Sequence, residues 1–323
     1  MATSTHDLES RLAQLKQQVP TRGFERHPSV LKSVSDLATE LQSPAVTTLA
    51  TGEALQTIIA FPPQIQRGRH YVPKQALLFT PTGVIHLLAS IWPDQEPQVT
   101  HINGGDLMYM KATLLLLYGF LEIVAQGQTS PTRLGMEFNT VAWYQLSRPL
   151  RQLLQATKTT PSTPAGEISY SLAARQVLAK LPLKFSNGAK LYGLLPGEEL
   201  EESVFQPGTW KRWLLLFRQP ITANTLLLLT SNYVVVIQEE LKVAQGWIFS
   251  YIPRNSIAGM QNRPCGLWNE LSIQLKRGDQ SVDYKLLLKS EAVETWRMQW
   301  MRHDGQWQDL PDEAEKPTIE IIG

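Results

Sequence analysis

Cysteine is almost absent from this sequence of 323 residues. The single residue, Cys265, excludes an intramolecular disulfide and a cysteine-rich zinc site. Long hydrophobic runs are absent too, because the longest, residues 112–125, contains Glu122 and is too short to span a bilayer. The first ten residues have neither a basic flank nor an apolar core, unlike a secretory signal. We therefore expect a soluble, cytoplasmic protein.

An excess of charge is also lacking. The chain has 30 basic and 29 acidic residues, which gives a net charge of +1. The balance holds in both halves, with 11 basic and 11 acidic residues in 1–150 and 19 and 18 in 151–323. Proteins that bind nucleic acid normally carry a basic excess that neutralises phosphates. Nucleic acid is therefore not an expected partner.

Catalytic and metal-binding motifs are missing as well. The sequence has no G-x-S-x-G motif and no glycine-rich phosphate loop with a lysine. No pair of histidines has the spacing of zinc ligands, and His86 lies in an alternating strand where a hydrogen-bonded core histidine is the favoured interpretation. We expect no enzyme activity, no cofactor and no metal site.

The sequence does contain one stretch twice. Residues 49–56 read LATGEALQ and residues 194–201 read LLPGEELE, and a proline follows each glycine by ten positions, at Pro62 and Pro207. The two stretches align at an offset of 145. Two further pairs of segments align at an offset of 150: 77–87 with 227–237, and 134–142 with 284–292. These correspondences indicate an internal duplication.

Periodicity predicts the same order of elements in each copy. The first copy has a leading amphipathic helix over 4–19 and a second helix that begins near Pro28 and ends before Ser43. Seven strands and a closing helix over 139–155, which Pro149 should kink, complete this copy. Its predicted strands are 54–61, 76–80, 83–90, 98–102, 106–112, 120–125 and 133–138.

The second copy starts with a predicted helix over 168–182 and ends with one over 290–302. Its predicted strands are 199–205, 225–230, 233–239, 246–252, 256–261, 270–276 and 281–288. The last two form the clearest hairpin, because apolar residues alternate on both sides of the turn at 277–280.

Composition divides the chain into five segments. The Thr/Pro/Ser-rich segment 156–166 is the predicted linker, and the acidic segment 304–323 is a predicted tail, exposed and partly disordered. The remaining predicted segments are a helical lead-in over 1–45, a first domain over 46–155, and a helix with a second domain over 167–303.

Seven strands closed by a carboxy-terminal helix resemble the pleckstrin-homology (PH) superfold. The opening L-x-x-G-E-x-L resembles its bacterial PH-like and GRAM-like branch, and the residues that carry it are Leu49, Gly52, Glu53, Leu55 and Thr80, then Leu194, Gly197, Glu198, Leu200 and Thr230. The resemblance implies a mainly β fold with α: two tandem seven-stranded, partly open barrels. The first copy departs from it at Pro81, at 91–97 and at 114–117, where four leucines replace a polar connection.

The repeated Gly-Glu pair is interpreted as structural. At Gly52 and Gly197 a turn conformation that a Cβ would obstruct is the favoured reading, with Glu53 and Glu198 capping a neighbouring amide. Coordination of a ligand by the two glutamates is the alternative.

The resemblance also suggests a candidate binding site. In the PH family the loop after the first strand often supplies basic residues for phosphoinositide headgroups. Here both loops are basic, and Trp210 and Trp213 are suited to a membrane interface. The alternative is that these charges are simply solvated. The candidate ligand-binding residues are Arg67, Arg69, Lys74, Lys211, Arg212 and Arg218.

Duplication, balanced charge and the missing catalytic motifs favour a non-enzymatic binding or scaffold protein with a protein or peptide partner. The alternative is peripheral attachment to anionic lipid through the two basic loops. Self-association is also possible, because PH-like barrels have an exposed edge. The apolar segment 318–322 at the end of the chain is a candidate for adding a strand to such an edge.

Overall fold

The computed structural model describes residues 5–19, 27–49, 53–66, 70–157, 172–213, 217–241, 246–266, 268–303 and 305–310. Strands predominate over helices in these ranges, so the predicted mainly β fold with α is confirmed. Each sheet has a linear strand order, and none of those in these ranges closes into a barrel. The seven-stranded barrels therefore stay a prediction. No helix in the same ranges is both long enough and apolar enough to cross a membrane.

Six α-helices occur in the described ranges. They are α1 (Thr5–Gln17), α2 (Thr39–Thr48), α3 (Trp143–Ala156), α4 (Leu172–Lys180), α5 (Leu183–Gly188) and α6 (Ser290–Met301). Short 3-10 turns precede α2 and α3, and a short π-helical segment, Ala189–Gly193, follows α5.

The strands of the first half are β1 (Ser29–Leu31), β2 (Thr57–Phe61), β3 (Gln64–Gln66), β4 (His70–Val72), β5 (Gln75–Phe79), β6 (Gly83–Leu88), β7 (Gln98–Asn103), β8 (Leu107–Leu115), β9 (Tyr118–Ala125) and β10 (Thr132–Phe138). The strands of the second half are β11 (Leu200–Gln206), β12 (Thr209–Trp213), β13 (Phe217–Thr222), β14 (Thr225–Thr230), β15 (Tyr233–Glu239), β16 (Trp247–Pro253), β17 (Ile257–Cys265), β18 (Trp268–Arg277), β19 (Gln280–Lys289) and β20 (Trp307–Asp309). Each predicted strand overlaps one of these.

The chain divides into two compact units. Unit 1 comprises Met1–Leu107, Leu116–Glu122 and Thr132–Thr157, and unit 2 comprises Met108–Leu115, Ile123–Pro131 and Lys158–Gly323. The predicted linker lies largely outside the described residues, and the predicted domain boundaries stay predictions.

Unit 1 contains an antiparallel sheet in the order β1-β2-β5-β6-β7. Leu41 and Ala45 of α2 pack on one face of this sheet against Ile58, Leu78 and Ile85. Helix α3 contacts β2 and β6. Because side chains of a strand alternate between faces, cover on both faces explains why every residue of β5 is buried.

The predicted helix from Pro28 is wrong. Residues 29–31 form β1, and the helix is instead α2, which begins at Thr39 and includes Pro44. A proline inside a helix lacks the N–H that would bond the carbonyl of the residue four positions earlier, here Glu40. Because Glu40 is exposed, solvent can satisfy that carbonyl, and Pro44 is tolerated.

Unit 2 contains two sheets that share one hydrophobic core. Strands β8, β16, β15, β14 and β11 follow one another in one sheet, and β19-β18-β17-β20 is the order of the other. Val236 and Ile252 of the first sheet belong to one buried cluster with Ile273 and Leu286 of the second and with Trp296 of α6. The closing helix predicted over 290–302 is therefore confirmed as part of this core.

Strand registers correspond across the two halves of the chain. Phe79 pairs with Val84, and Leu229 pairs with Val234. The offset of 150 relates Phe79 to Leu229 and also relates Val84 to Val234.

In the neighbouring strand pair, Ile59 pairs with Leu77, and Val204 pairs with Leu227. Here the offset of 145 relates Ile59 to Val204, and the offset of 150 relates Leu77 to Leu227. The pairing of the strands therefore follows the same two offsets as the sequence segments.

Candidate functional site

Lys74 is the predicted ligand-binding residue whose side chain is best described. Its ammonium group lies 2.9 Å from a carboxylate oxygen of Glu40 on α2, and both side chains are half-exposed. Burial alone would raise the pKa of Glu40, but the hydrogen bond and charge of Lys74, with a backbone hydrogen bond, hold that pKa below its usual value. Exposed ion pairs add little stability, so Lys74 is oriented by Glu40 and remains accessible.

The other predicted basic residues are only partly placed. Arg67 and Arg69 lie outside the described residues. Lys211, Arg212 and Arg218 were expected in a loop, and this is wrong, because they lie in the β12–β13 hairpin, where Arg212 is paired with Arg218. Threonine and aromatic residues, which favour strands, are frequent in this segment. The three side chains lie outside what the structure describes, but the neighbouring Trp210 is exposed.

The Gly-Glu pair of the second copy has a structural role, as the sequence predicted. Gly197 adopts a φ of 75°, a left-handed conformation that suits glycine. The buried carboxylate of Glu198 accepts hydrogen bonds from the hydroxyls of Thr230 and Ser231, at 2.9 and 3.1 Å. It also accepts from the backbone N–H and the side-chain amide of Asn232, at 2.9 and 3.0 Å. Glu198 therefore caps the turn between β14 and β15.

The glutamate of the other Gly-Glu pair makes a similar contact from a less buried position. Glu53 is half-buried and accepts a hydrogen bond of 2.9 Å from the hydroxyl of Thr82, in the turn between β5 and β6. Gly52 lies outside the described residues.

His86 is a core histidine with a hydrogen-bond partner, which confirms the interpretation favoured from the sequence. Its Nε2 lies 3.1 Å from Oε1 of Gln75, whose amide nitrogen donates to the carbonyl of Glu137 at 2.8 Å. Burial lowers the pKa of His86 to about 4, so the imidazole is neutral at pH 7. Within the described ranges no three His, Cys, Asp or Glu side chains converge as metal ligands do.

Two neighbouring clefts lie in unit 1 and share Pro63 and Lys74. The first, of about 420 Å³, is mostly apolar and is lined by His27, Ser29, Leu37, Ala38, Leu41, Ala60, Phe61, Pro62, Pro63, Lys74 and Gln75. The second, of about 480 Å³, has Tyr71, Trp92 and four prolines in its wall. Burial raises the pKa of Tyr71, opposed by the charge of Arg11. The wall of the second cleft also contains Arg11 and the Lys74–Glu40 ion pair.

A third cleft, of about 330 Å³, lies in unit 2 between β11 and the start of α6. Gln206 is buried in its wall and accepts a hydrogen bond from the backbone N–H of Lys289. Its amide nitrogen has no hydrogen-bond partner among the described residues. Ser203, Glu291 and Thr295 also line this cleft.

Four exposed apolar residues of unit 1 lie on the connection after β8 and at the start of α3: Leu116, Leu117, Val141 and Tyr144, which we call the Leu116 surface. All four side chains are exposed, Leu117 by 71% and Tyr144 by 89%. The hydroxyl of Thr140 donates to the carbonyl of Leu116, and the backbone N–H of Thr140 bonds the carbonyl of Leu117 at 3.4 Å. The connection after β8 is therefore bound to the start of α3, so the two segments that carry the four side chains are fixed to each other.

Leu116 occupies a backbone conformation that costs free energy. Its φ is 46°, and it is the one non-glycine residue with positive φ among those the structure describes. For an L-residue with a Cβ this region is unfavourable by about 1–2 kcal/mol. The longer sequence offset takes Leu116 to Gly266, which has a φ of 67° and where no such cost arises. The sequence signal for this surface was the leucine run at 114–117, which we interpreted only as a departure from the PH-like pattern.

Comparisons with known proteins add no assignment. The sequence matches no protein-family model, and a search of curated proteins found no significant match.

Proposed function

We propose that the chain is a non-enzymatic binding or scaffold protein, built from two PH-like units, that recognises a protein partner through the Leu116 surface. The PH-like architecture is supported by the order of elements, by the matching registers of the two halves, and by α6 packing against two sheets of unit 2. The absence of a known catalytic motif from the sequence supports a non-enzymatic role.

The observation that carries the proposal is the strained, exposed Leu116. A leucine that is two-thirds exposed gains little from burial, yet it occupies a conformation that favours glycine. Leu117, Val141 and Tyr144 lie on the two segments that Thr140 binds together and are exposed as well. Exposed apolar side chains that share one surface mark interaction sites. An exposed tyrosine beside aliphatic side chains is typical of the residues that dominate protein interfaces.

The partner should present a complementary apolar recess. Rigid presentation lowers the entropic cost of binding, and the hydrogen bonds of Thr140 provide that rigidity. The Asn139 side chain adds to it by accepting a hydrogen bond of 3.1 Å from the N–H of Val141.

Site-specific photo-cross-linking in the source cells tests this function. A photo-reactive amino acid at position 144 should give a discrete adduct with a protein partner. The double variant Leu116→Ser/Leu117→Ser should abolish the adduct, whereas Val46→Ser, a matched change at an exposed valine of α2, should leave it intact. No discrete adduct, or one that survives the double variant, would refute the proposal.

A second candidate function is attachment to anionic membranes through the β12–β13 hairpin. The exposed indole of Trp210 beside Lys211 and Arg212 favours it, since tryptophan and basic residues are common at membrane interfaces. Vesicles that contain anionic lipid should then sediment the protein, and Lys211→Glu with Arg212→Glu should prevent this. If the protein stays in the supernatant at low salt, this candidate is excluded.

A further inference from the structure

Strand β17 has an outer edge that only the three-residue strand β20 covers among the described residues. Strand β20 runs parallel to β17 and pairs with Met260, Gln261 and Asn262. The N–H of Met260 donates to the carbonyl of Gln306 at 3.0 Å, and the N–H of Leu310 donates to the carbonyl of Asn262 at 2.8 Å. An edge held by so short a strand is a site where another strand can compete.

The first half of the chain shows what the equivalent edge binds. Strand β8 pairs antiparallel with β16, with Met110 opposite Tyr251 and Ala112 opposite Phe249. The longer sequence offset takes Met110 to Met260 and Ala112 to Asn262, two of the residues that β20 covers. The same offset relates β7 to β16. Asn103 of β7 pairs with Gly83, and Pro253 of β16 pairs with Tyr233, so both residues of the first pair correspond to those of the second.

Strand β7 is the matching strand. It is the last strand of its sheet in the part of the chain that the structure describes, and its sequence QVTHIN contains none of the lysine, arginine, aspartate or glutamate residues that usually protect an exposed edge. Most of its side chains are exposed, including Val99.

We propose that β7 of one molecule pairs antiparallel with β17 of a second copy, in the register that β16 and β8 adopt, when β20 is displaced. The register places His101 opposite Met260 and Val99 opposite Asn262. Pro97 falls opposite Pro264, so the strands lose their hydrogen-bonding capacity at the same point. This association is heterologous, because the two molecules contribute different edges. It does not depend on the partner proposed for the Leu116 surface.

Gly305 provides a means to release β20. A Cβ built at Gly305 would lie 1.9 Å from the indole nitrogen of Trp300. Because Trp300 is buried in the core of unit 2, we expect Gly305→Ala to displace the segment before β20. More molecules then have a β17 edge that β20 does not cover. The apparent affinity of that edge for β7 rises in proportion to the fraction of such molecules, and we expect a rise of about tenfold.

Sedimentation velocity of the full chain over a range of concentrations tests the proposal. Gly305→Ala should associate about tenfold more tightly than the unmodified chain, and adding Val99→Lys should return it to monomer. Val46→Lys, the same change on α2, should have no effect. Hydrogen exchange at Met260 checks that β20 has been released. A Gly305→Ala chain that exchanges at Met260 and stays monomeric at every concentration would overturn the proposal, as would association that survives Val99→Lys.

A cross-linking experiment tests the register. With Cys265 replaced by serine, chains carrying Val99→Cys and chains carrying Asn262→Cys, both with Gly305→Ala, should form a mixed disulfide on oxidation. Replacing Val99→Cys by Val46→Cys should prevent it. Equal yields from the two mixtures would refute the register.

Discussion

The carboxylate of Glu198 accepts two hydrogen bonds from Asn232, one from the backbone N–H and one from the side-chain amide. The two residues are 34 positions apart in sequence, and the contact fixes the turn between β14 and β15 to the start of β11. Hydroxyl groups of Thr230 and Ser231 donate to the same carboxylate.

Replacing Glu198 by alanine should lower the free energy of unfolding of unit 2 by about 3 kcal/mol, because buried donors would lose a charged acceptor. Urea denaturation followed by hydrogen exchange over β14 and β15 measures the loss. Glu53→Ala is the matched control, and we expect a loss of about 0.5–1 kcal/mol, since that carboxylate is half-buried and its contact with the Thr82 hydroxyl is easily replaced by water. Equal losses would contradict the capping role of Glu198.

The burial of His86 predicts a dependence of stability on pH. Its pKa is about 4 in the folded protein and 6.5 in an unfolded chain, so the unfolded state binds the proton first as the pH falls. The stabilisation is therefore fully present above pH 6.5 and is lost towards pH 4, by about 3 kcal/mol in total.

Urea denaturation of unit 1 at several pH values between 4 and 7.5 measures this loss. The His86→Gln variant should lose most of this pH dependence, because its amide can still bond Gln75 but does not titrate. His101→Gln, a change at an exposed histidine of β7, should retain it. If His86→Gln and the unmodified chain lose stability in parallel, another group is responsible.

Local alternation explains how much of the fold the sequence could predict. In β18 and β19, Leu271 and Ile273 alternate with polar residues, as do Tyr284 and Leu286, and the observed pairs are Leu271 with Leu286 and Ile273 with Tyr284. Such patterns depend on neighbours in sequence, so the strands were found to within a few residues.

Contacts between distant segments could not be predicted in this way. The pairing of β20 with β17 depends on the edge that the fold leaves open, and nothing in the sequence WQD indicates a parallel strand. The same limit applies to Pro44. A helix tolerates this proline only if solvent reaches the carbonyl of Glu40, and the sequence does not show that Glu40 is exposed.

The candidate site was predicted in part. Basic composition identified Lys74, but its partner Glu40 lies on α2, where the wrong helix had been placed. The leucines at 116 and 117 carry no signal of exposure, because leucine is most often buried. Only the exposure of both side chains in the folded chain distinguishes a surface from a core.

The two sheets of unit 2 are joined by a buried hydrogen bond whose loss should be measurable. The phenol of Tyr284 on β19 donates to the hydroxyl of Ser250 on β16 at 2.7 Å, and Ser250 is fully buried. Tyr284→Phe should destabilise unit 2 by about 1–2 kcal/mol, because it leaves the serine without this partner. The edge-on contact of the ring with Tyr109, at 5.5 Å between centroids, should persist in the variant.

A double-mutant cycle with Ser250→Ala isolates that hydrogen bond. The double variant should be less destabilised than the sum of the two single variants, by about 1 kcal/mol. Additive losses would show that the two hydroxyl groups do not interact in solution.

Leu116 should make unit 1 less stable than a glycine would at the same position. Leu116→Gly removes the cost of the left-handed backbone and sacrifices little burial, so we expect unit 1 to gain about 1 kcal/mol. The reciprocal change, Gly266→Leu, should destabilise unit 2 by a similar amount, because its φ of 67° imposes the same cost and no atom lies within 4 Å of the added Cβ to compensate. Urea denaturation of both variants measures the two effects, and effects of the same sign would show that Leu116 is not strained. A leucine that costs stability and gains little from burial supports the binding role proposed for the Leu116 surface, because the cost has no return within unit 1 itself.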